Sequence, residues 1–144
     1  MQARATYDDA RLILELYEIR REERMRKARA WFTGNFRPRT LDDFAAICPP
    51  GSDENASYRM VTTYWEMAAS FVASGVLSQE LFFQSGRELL LVWERMREIL
   101  PGLREKNADP FAYSNLETVA QAYIAYLDHR VPGTYAAFSA RQRS

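Results

Sequence analysis

The chain has 144 residues, 47% of them hydrophobic and 26% charged, and nineteen basic side chains balance nineteen acidic ones. A domain of this length buries about 68–70% of the surface that its unfolded chain exposes, so a core can form without disulfides or metals. The zero net charge excludes a whole-chain attraction to nucleic acid or to a membrane, so either partner needs a local patch.

Cysteine content and apolar run length bear on where the protein works. Cys48 is the only cysteine, which rules out an internal disulfide and favours a reducing compartment. The first ten residues contain acids and no apolar segment, unlike a secretory signal. The longest apolar runs are shorter than the ~20 residues of a membrane-spanning helix. We therefore expect a cytoplasmic protein with no membrane association.

Glycine and proline separate segments whose apolar residues follow helical spacing, and no segment shows the alternation of a strand. This pattern predicts an all-α fold: an antiparallel bundle of four long helices in a single domain, residues 1–144. The long helices are predicted at 7–33, 53–74, 79–100 and 115–129. A short helix at 41–48 and a turn in a partly ordered tail, 134–144, complete the set.

The first two helices carry capping signals. Thr6 precedes Asp8 and Asp9, acids that suit the positive first turn of a helix. As one helix ending at Gly34, this segment would be roughly 40 Å long. Thr40 and Asp43 have the spacing of a capping box for the short helix. We expect Cys48, before the following turn, to be a small buried hydrophobic residue.

A tight turn joins the next two helices. Ser52 or Asp53 caps the first of them, and Gly75 suits a left-handed C-terminal residue, with Val76 making the accompanying hydrophobic contact. Ser78 begins the next helix.

A hairpin centred on this turn sets a register between the two helices. It places Glu66 beside Arg87 and Arg59 beside Glu94 as ion pairs. It also brings Ala68 and Ala69 against Ser85 and Gly86, where close packing would compensate for a glycine inside a helix.

The predicted fourth helix is apolar on nearly every face, as in a central helix or a subunit interface. Pro101 ends or kinks it. The run Ser114 to Glu117 predicts a capping box for the last long helix, and His129 lies in that helix's negative last turn. The apolar surplus of this helix, together with the long amphipathic first helix, leads us to expect a homodimer or a helical protein partner.

No motif of catalysis, metal binding or cofactor binding is present in the sequence. The single histidine, His129, and Cys48 are about eighty residues apart, so neither a zinc site nor a thiol–imidazole couple has support. We expect no enzymatic activity, no cofactor and no metal. One candidate polar pocket inside the bundle would be formed by Tyr64, Glu66, Arg87 and Tyr123. Simple ion pairs at the hairpin edges explain the same charges.

The strongest charge feature is a basic stretch interleaved with aromatic residues, a composition that can bind phosphate backbones or stacked bases. The candidate basic patch comprises Arg20, Arg21, Arg24, Lys27, Arg37 and Arg39. The alternative is a solvated helix face with pairs such as Glu22 to Arg26 and Glu23 to Lys27.

The string TTYWEMAASFVASGVLSQELFFQSGRELLLVWERM joins a helix ending in Ser-Gly to a helix with a central Trp-Glu. It resembles a group of small bacterial helical proteins classed as a domain of unknown function, mainly over residues 60–100 and more loosely over 113–127. The resemblance implies an all-α bacterial protein and supplies no catalytic residue.

These observations favour a non-catalytic interaction or scaffold module. The alternatives are a nucleic-acid or phosphate-binding module using Arg20 to Arg39, and small-molecule binding inside the bundle.

Overall fold

A computed structural model describes residues 4–143, which fold into nine α-helices and contain no strand. The all-α prediction is confirmed. The helices are α1 (Tyr7–Arg20), α2 (Glu23–Asn35), α3 (Leu41–Ile47), α4 (Asp53–Ala73), α5 (Gln79–Phe83), α6 (Arg87–Met96), α7 (Leu100–Lys106), α8 (Ser114–Arg130) and α9 (Thr134–Arg143).

The single first helix predicted at 7–33 is wrong, because the chain breaks at Arg21 and Glu22 into α1 and α2. Glu22 is the N-cap of α2: its carboxylate accepts hydrogen bonds from the amides of Arg24 (3.0 Å) and Met25 (3.1 Å). These amides hold the Glu22 pKa below its usual range. Glu22, which the sequence analysis paired with Arg26 on a single helix, therefore begins a new helix.

The predicted fourth helix, 79–100, is also wrong, because it is divided into α5, α6 and the start of α7. Gly86 is the N-cap of α6 rather than a helix-interior residue, with φ −98° and ψ 25°. Pro101 begins a helix instead of ending one, since it occupies the first turn of α7, where its missing amide hydrogen has no cost.

Most of the predicted local caps are confirmed. Capping boxes are present at Thr6 with Asp9 and at Thr40 with Asp43, and Ser52 caps α4. Gly75 has φ 85°, the left-handed conformation that ends α4.

The hydrophobic contact after Gly75 is made by a different residue from the one predicted. Val76 is 66% exposed, whereas Leu77 is buried and donates its amide to the Phe71 carbonyl at 2.9 Å.

The buried side chains form a contiguous cluster in which α4 and α6 are central. α4 packs against α2 and α8, and α6 packs against α4, α8 and α9. The tail forms the ten-residue helix α9, which reaches Arg143 and buries Phe138 against the core. Ser144, the last residue of the predicted tail 134–144, lies outside the described residues.

The apolar faces of the predicted fourth helix are thus covered within the chain. Leu89, Leu90, Val92 and Met96 of α6 are fully buried. This removes one of the two observations that motivated a homodimer, and the dimer itself stays a prediction. Within residues 4–143, no helix is long and apolar enough to cross a membrane.

Candidate functional site

An apolar pocket of about 320 Å³ lies between α1, α4 and the α5–α6 junction. α1 contributes Ile13, Leu14, Leu16, Tyr17 and Arg20. α4 contributes Tyr64 and Trp65, and the segment around α5 contributes Phe82, Ser85 and Gly86. Arg20 is the only charged residue among these ten, so the lining is an aromatic and aliphatic surface with one cation.

Two hydrogen bonds hold α1 against the rest of the pocket. The Tyr64 hydroxyl donates to the Leu16 carbonyl at 2.5 Å, near the C-terminal end of α1. At the N-terminal end, the Asp9 carboxylate accepts the amides of Thr6 (2.7 Å) and Ser78 (2.8 Å). These two bonds, that of Thr6 first, lower the Asp9 pKa from its ordinary value. α1 is therefore fixed to α4 and to the turn before α5.

The aromatic wall is oriented by a half-buried carboxylate, that of Glu88. The Trp65 indole nitrogen donates to Glu88 at 2.9 Å, and Glu88 also binds Arg29 in a two-pronged ion pair, with its shortest contact at 2.8 Å. The hydrogen bond to Glu88 raises the Arg29 pKa. The Trp65 ring meets Tyr64 edge-on at 5.0 Å and Phe82 at 6.4 Å. Because the indole nitrogen is satisfied by Glu88, the carbon surface of the ring is what remains for the pocket.

Arg20 supplies the one charge of the lining. Its guanidinium carbon lies 4.9 Å from the Tyr17 ring centre and 5.3 Å from that of Trp65. Both distances fall within the range of cation–π attraction. Within the described part of the chain, no carboxylate forms an ion pair with Arg20 and no group accepts a hydrogen bond from its side chain. The pocket thus contains a partly exposed cation whose donors are not used by the protein.

The four residues of the predicted polar pocket are not brought together. Tyr64 lines the apolar pocket just described. The Tyr123 hydroxyl donates to the Phe83 carbonyl at 2.6 Å. Arg87 lies 5.8 Å from the Tyr123 ring centre, so these two do meet, on the side of α6 that faces α8 and α9.

Glu66, the fourth residue of the predicted polar pocket, instead caps the N-terminal end of α8, which is far from it in the sequence. Its carboxylate accepts the Leu116 amide and the Asn115 side-chain amide, both at 2.8 Å. The predicted Ser114 to Glu117 capping box is wrong, because the N-cap of α8 is Tyr113 with φ 57° and no side-chain cap of its own. Glu117 pairs with Arg104 at 3.0 Å. A carboxylate at a helix N-terminus also interacts favourably with the helix dipole.

The two predicted hairpin ion pairs are wrong. Arg59 donates to Asn55, and Glu94 is buried in a different cluster, where it accepts from Tyr135 and from Ser139 at 2.6 Å. Glu66, as shown above, binds α8 rather than Arg87. The predicted register assumed an unbroken helix from residue 79, and the break before Gly86 changes its phase. At Gly86 the tightest neighbour is Phe82 of its own turn, which lies 2.7 Å from an added Cβ; the predicted approach to Ala68 stays a prediction.

The basic patch is divided between the two ends of α2. Arg21 lies over the Tyr17 ring at 5.8 Å, the exposed Arg24 follows Glu22, and Lys27 forms the predicted ion pair with Glu23 at 3.2 Å.

Arg37 and Arg39 follow α2, whose 13 residues span about 20 Å. There they border a small cavity of about 30 Å³ together with Arg95 and Arg143. The six cations therefore do not lie side by side.

Sequence reasoning missed Glu88 and Arg95. Buried Arg95 donates through one nitrogen to the carbonyls of Phe32 (3.2 Å), Thr33 (3.1 Å) and Phe36 (2.9 Å), and so caps the C-terminal end of α2. Burial, together with Arg37, lowers its pKa to about 10. The sequence signal that could have revealed the role of Arg95 is a charged residue within the apolar run of α6.

Cys48 lies outside these sites. It is buried, as predicted, and burial raises its thiol pKa to about 11. Among residues 4–143, no three His, Cys, Asp or Glu side chains are grouped to hold a metal ion.

The model of the family described as "Domain of unknown function (DUF4760)" matches residues 5–123 of the chain. No significant match was found among curated proteins or among solved structures. The match covers most of the chain, including every residue that lines the apolar pocket, and the chain belongs to the DUF4760 family.

Proposed function

We propose that this member of the DUF4760 family is a non-catalytic binding protein that takes up a small apolar molecule in the pocket between α1, α4 and α5. The observation that carries the proposal is the pocket itself, about 320 Å³ in volume with four aromatic side chains in its lining. Sites for small molecules are typically concave, mostly apolar and roughly 300–1,000 Å³ in size.

The pocket is partly open to solvent, so a ligand can reach it from outside. An apolar cavity of about 150 Å³ stays dry and binds benzene. A pocket of about twice that volume offers a ligand correspondingly more apolar surface to cover.

Two polar groups of the pocket, the Tyr64 hydroxyl and the Trp65 indole nitrogen, are engaged in positioning their rings. Tyr64 donates to Leu16, and Trp65 donates to Glu88. Each bond satisfies the polar end of an aromatic side chain and fixes the position of its ring. The proposal therefore assigns the pocket to binding alone, with no chemical step on the ligand.

The direct test is a titration with N-phenyl-1-naphthylamine, a neutral dye whose fluorescence rises in apolar surroundings. Ser85→Phe is the blocking variant, because Ser85 is an exposed residue of the lining whose replacement adds a ring to the pocket. Gln84→Phe is the matched control, since Gln84 is exposed in the same turn and lies outside this lining.

We expect the unmodified protein and Gln84→Phe to bind the dye with similar affinity. Ser85→Phe should bind it at least about tenfold more weakly, which corresponds to about 1.4 kcal/mol of binding free energy. No dye binding by the unmodified protein, or equal binding by Ser85→Phe, would contradict the proposal.

A further inference from the structure

We infer that the ligand of this pocket is an amphipathic carboxylate, an apolar body whose terminal carboxylate pairs with Arg20. The inference rests on the proposed function and adds the chemical class of the ligand. It follows from the charge of the lining, the state of the arginine and the size of the apolar part.

The charge of the lining is asymmetric. Nine of its ten residues are uncharged and Arg20 is the tenth, so a neutral ligand leaves a cation beside an apolar surface. A ligand anion would compensate that charge, and it would do so in surroundings less polar than water, where charge pairs are stronger.

Among the residues that the structure describes, Arg20 lacks the carboxylate partner that several other arginines of the fold have. Arg29 binds Glu88 at 2.8 Å, Arg104 binds Glu117 at 3.0 Å, and Arg143 binds Glu98 at 2.5 Å. For Arg20, no such carboxylate partner exists among residues 4–143. A guanidinium has five N–H donors arranged to match a carboxylate in a two-pronged contact.

The rings of Tyr17 and Trp65 hold this guanidinium next to the pocket, at 4.9 and 5.3 Å from its carbon. Stacking restricts the side chain before a ligand arrives, so less conformational freedom is lost when a carboxylate binds. The same two rings belong to the pocket lining. An anionic head on Arg20 would therefore lie directly beside the site for the apolar body.

The volume indicates the size of the apolar body that fits. If about 150 Å³ holds the six carbon atoms of one benzene, a pocket of about 320 Å³ that is also partly open to solvent accommodates an apolar body of at least roughly twelve carbon atoms. Octanoate fits within this volume and is the simplest probe, and 1-octanol and octylamine share its chain with a neutral and a cationic head.

The experiment measures displacement of bound N-phenyl-1-naphthylamine by octanoate, 1-octanol and octylamine from the full chain. Octanoate should displace the dye at a concentration about tenfold below that of 1-octanol, the difference that one charge-assisted contact supports. Octylamine should be the weakest of the three.

Two arginine variants locate the effect. Arg20→Gln should remove the advantage of octanoate over 1-octanol and leave 1-octanol unchanged. Arg21→Gln is the matched control, because Arg21 also lies over Tyr17 but is absent from the lining, so this variant should behave like the unmodified protein. Thermal melts of both variants establish that they are folded.

The outcomes separate the two proposals. The carboxylate inference is overturned if octanoate and 1-octanol displace the bound dye equally well, or if the advantage of octanoate persists in Arg20→Gln. Either result leaves the proposed apolar binding pocket standing. Absence of dye binding overturns the proposed function, and the inference with it.

Discussion

Replacement of Gly86 by alanine tests the packing at the junction of α5 and α6, next to the pocket. A Cβ at this position would lie 2.7 Å from two ring carbons of Phe82 and 2.9 Å from the Phe82 carbonyl oxygen. The ring can turn, but the carbonyl is fixed, since it accepts hydrogen bonds from the amides of Ser85 (3.1 Å) and Gly86 (2.8 Å). The added methyl group must therefore displace the backbone turn.

The expected magnitude combines two opposed effects. Overpacking costs about 1–3 kcal/mol of unfolding free energy. Alanine also restricts the unfolded chain and returns about 0.4–1 kcal/mol; the φ of −98° at Gly86 is accessible to alanine. The net loss is about 1–2 kcal/mol, which lowers the melting temperature by roughly 3–8 °C for a domain of this size.

The assay is urea unfolding followed by circular dichroism, with Gly34→Ala as the control. Gly34 lies in α2 and has no heavy atom within 4 Å of a built Cβ, so alanine should stabilise the protein by up to about 1 kcal/mol through helix propensity. If Gly86→Ala is as stable as the unmodified protein while Gly34→Ala behaves as expected, the packing argument is wrong.

Two further substitutions test contacts made across the fold. Glu66→Ala should cost about 1–2 kcal/mol of unfolding free energy, because the Leu116 amide loses its cap; unchanged hydrogen exchange at Leu116 would refute this. Asp9→Asn removes a carboxylate whose pKa in the folded protein is lower than the ordinary value of about 3.9. Its contribution to folding stability is therefore complete above that value and is lost as the pH falls through the folded pKa. The stability gap between Asp9→Asn and the unmodified protein, measured by urea unfolding, should thus be constant near neutral pH and shrink below about pH 4; a gap of equal size at pH 3 would count against the Asp9 contacts.

The features that the sequence predicted correctly are those whose partners are close in sequence. Thr6 and Asp9 are three residues apart, as are Thr40 and Asp43, and Gly75 needs only its own backbone conformation. Residue type and spacing are sufficient for such local contacts.

The missed contacts of the candidate site join segments that are distant in sequence. Glu66 caps α8 from 50 residues away, and the Trp65 ring is oriented by Glu88 on another helix. Helical periodicity cannot indicate these pairings, because it reports which face of a helix is apolar and not what that face meets. Glu22 is compatible with a helix interior as well as with a cap. The sequence therefore does not reveal the break that separates α1, one wall of the pocket, from α2.

The most direct test of ligand binding in this pocket uses the indole N–H signals of the three tryptophans in a two-dimensional NMR spectrum, assigned with single Trp→Phe variants. Trp65 lines the pocket, whereas Trp31 and Trp93 do not. Addition of octanoate should shift the Trp65 signal in a saturable manner and leave the Trp31 and Trp93 signals in place. A spectrum in which the Trp65 signal does not move, or in which all three signals move together, would contradict binding at this site.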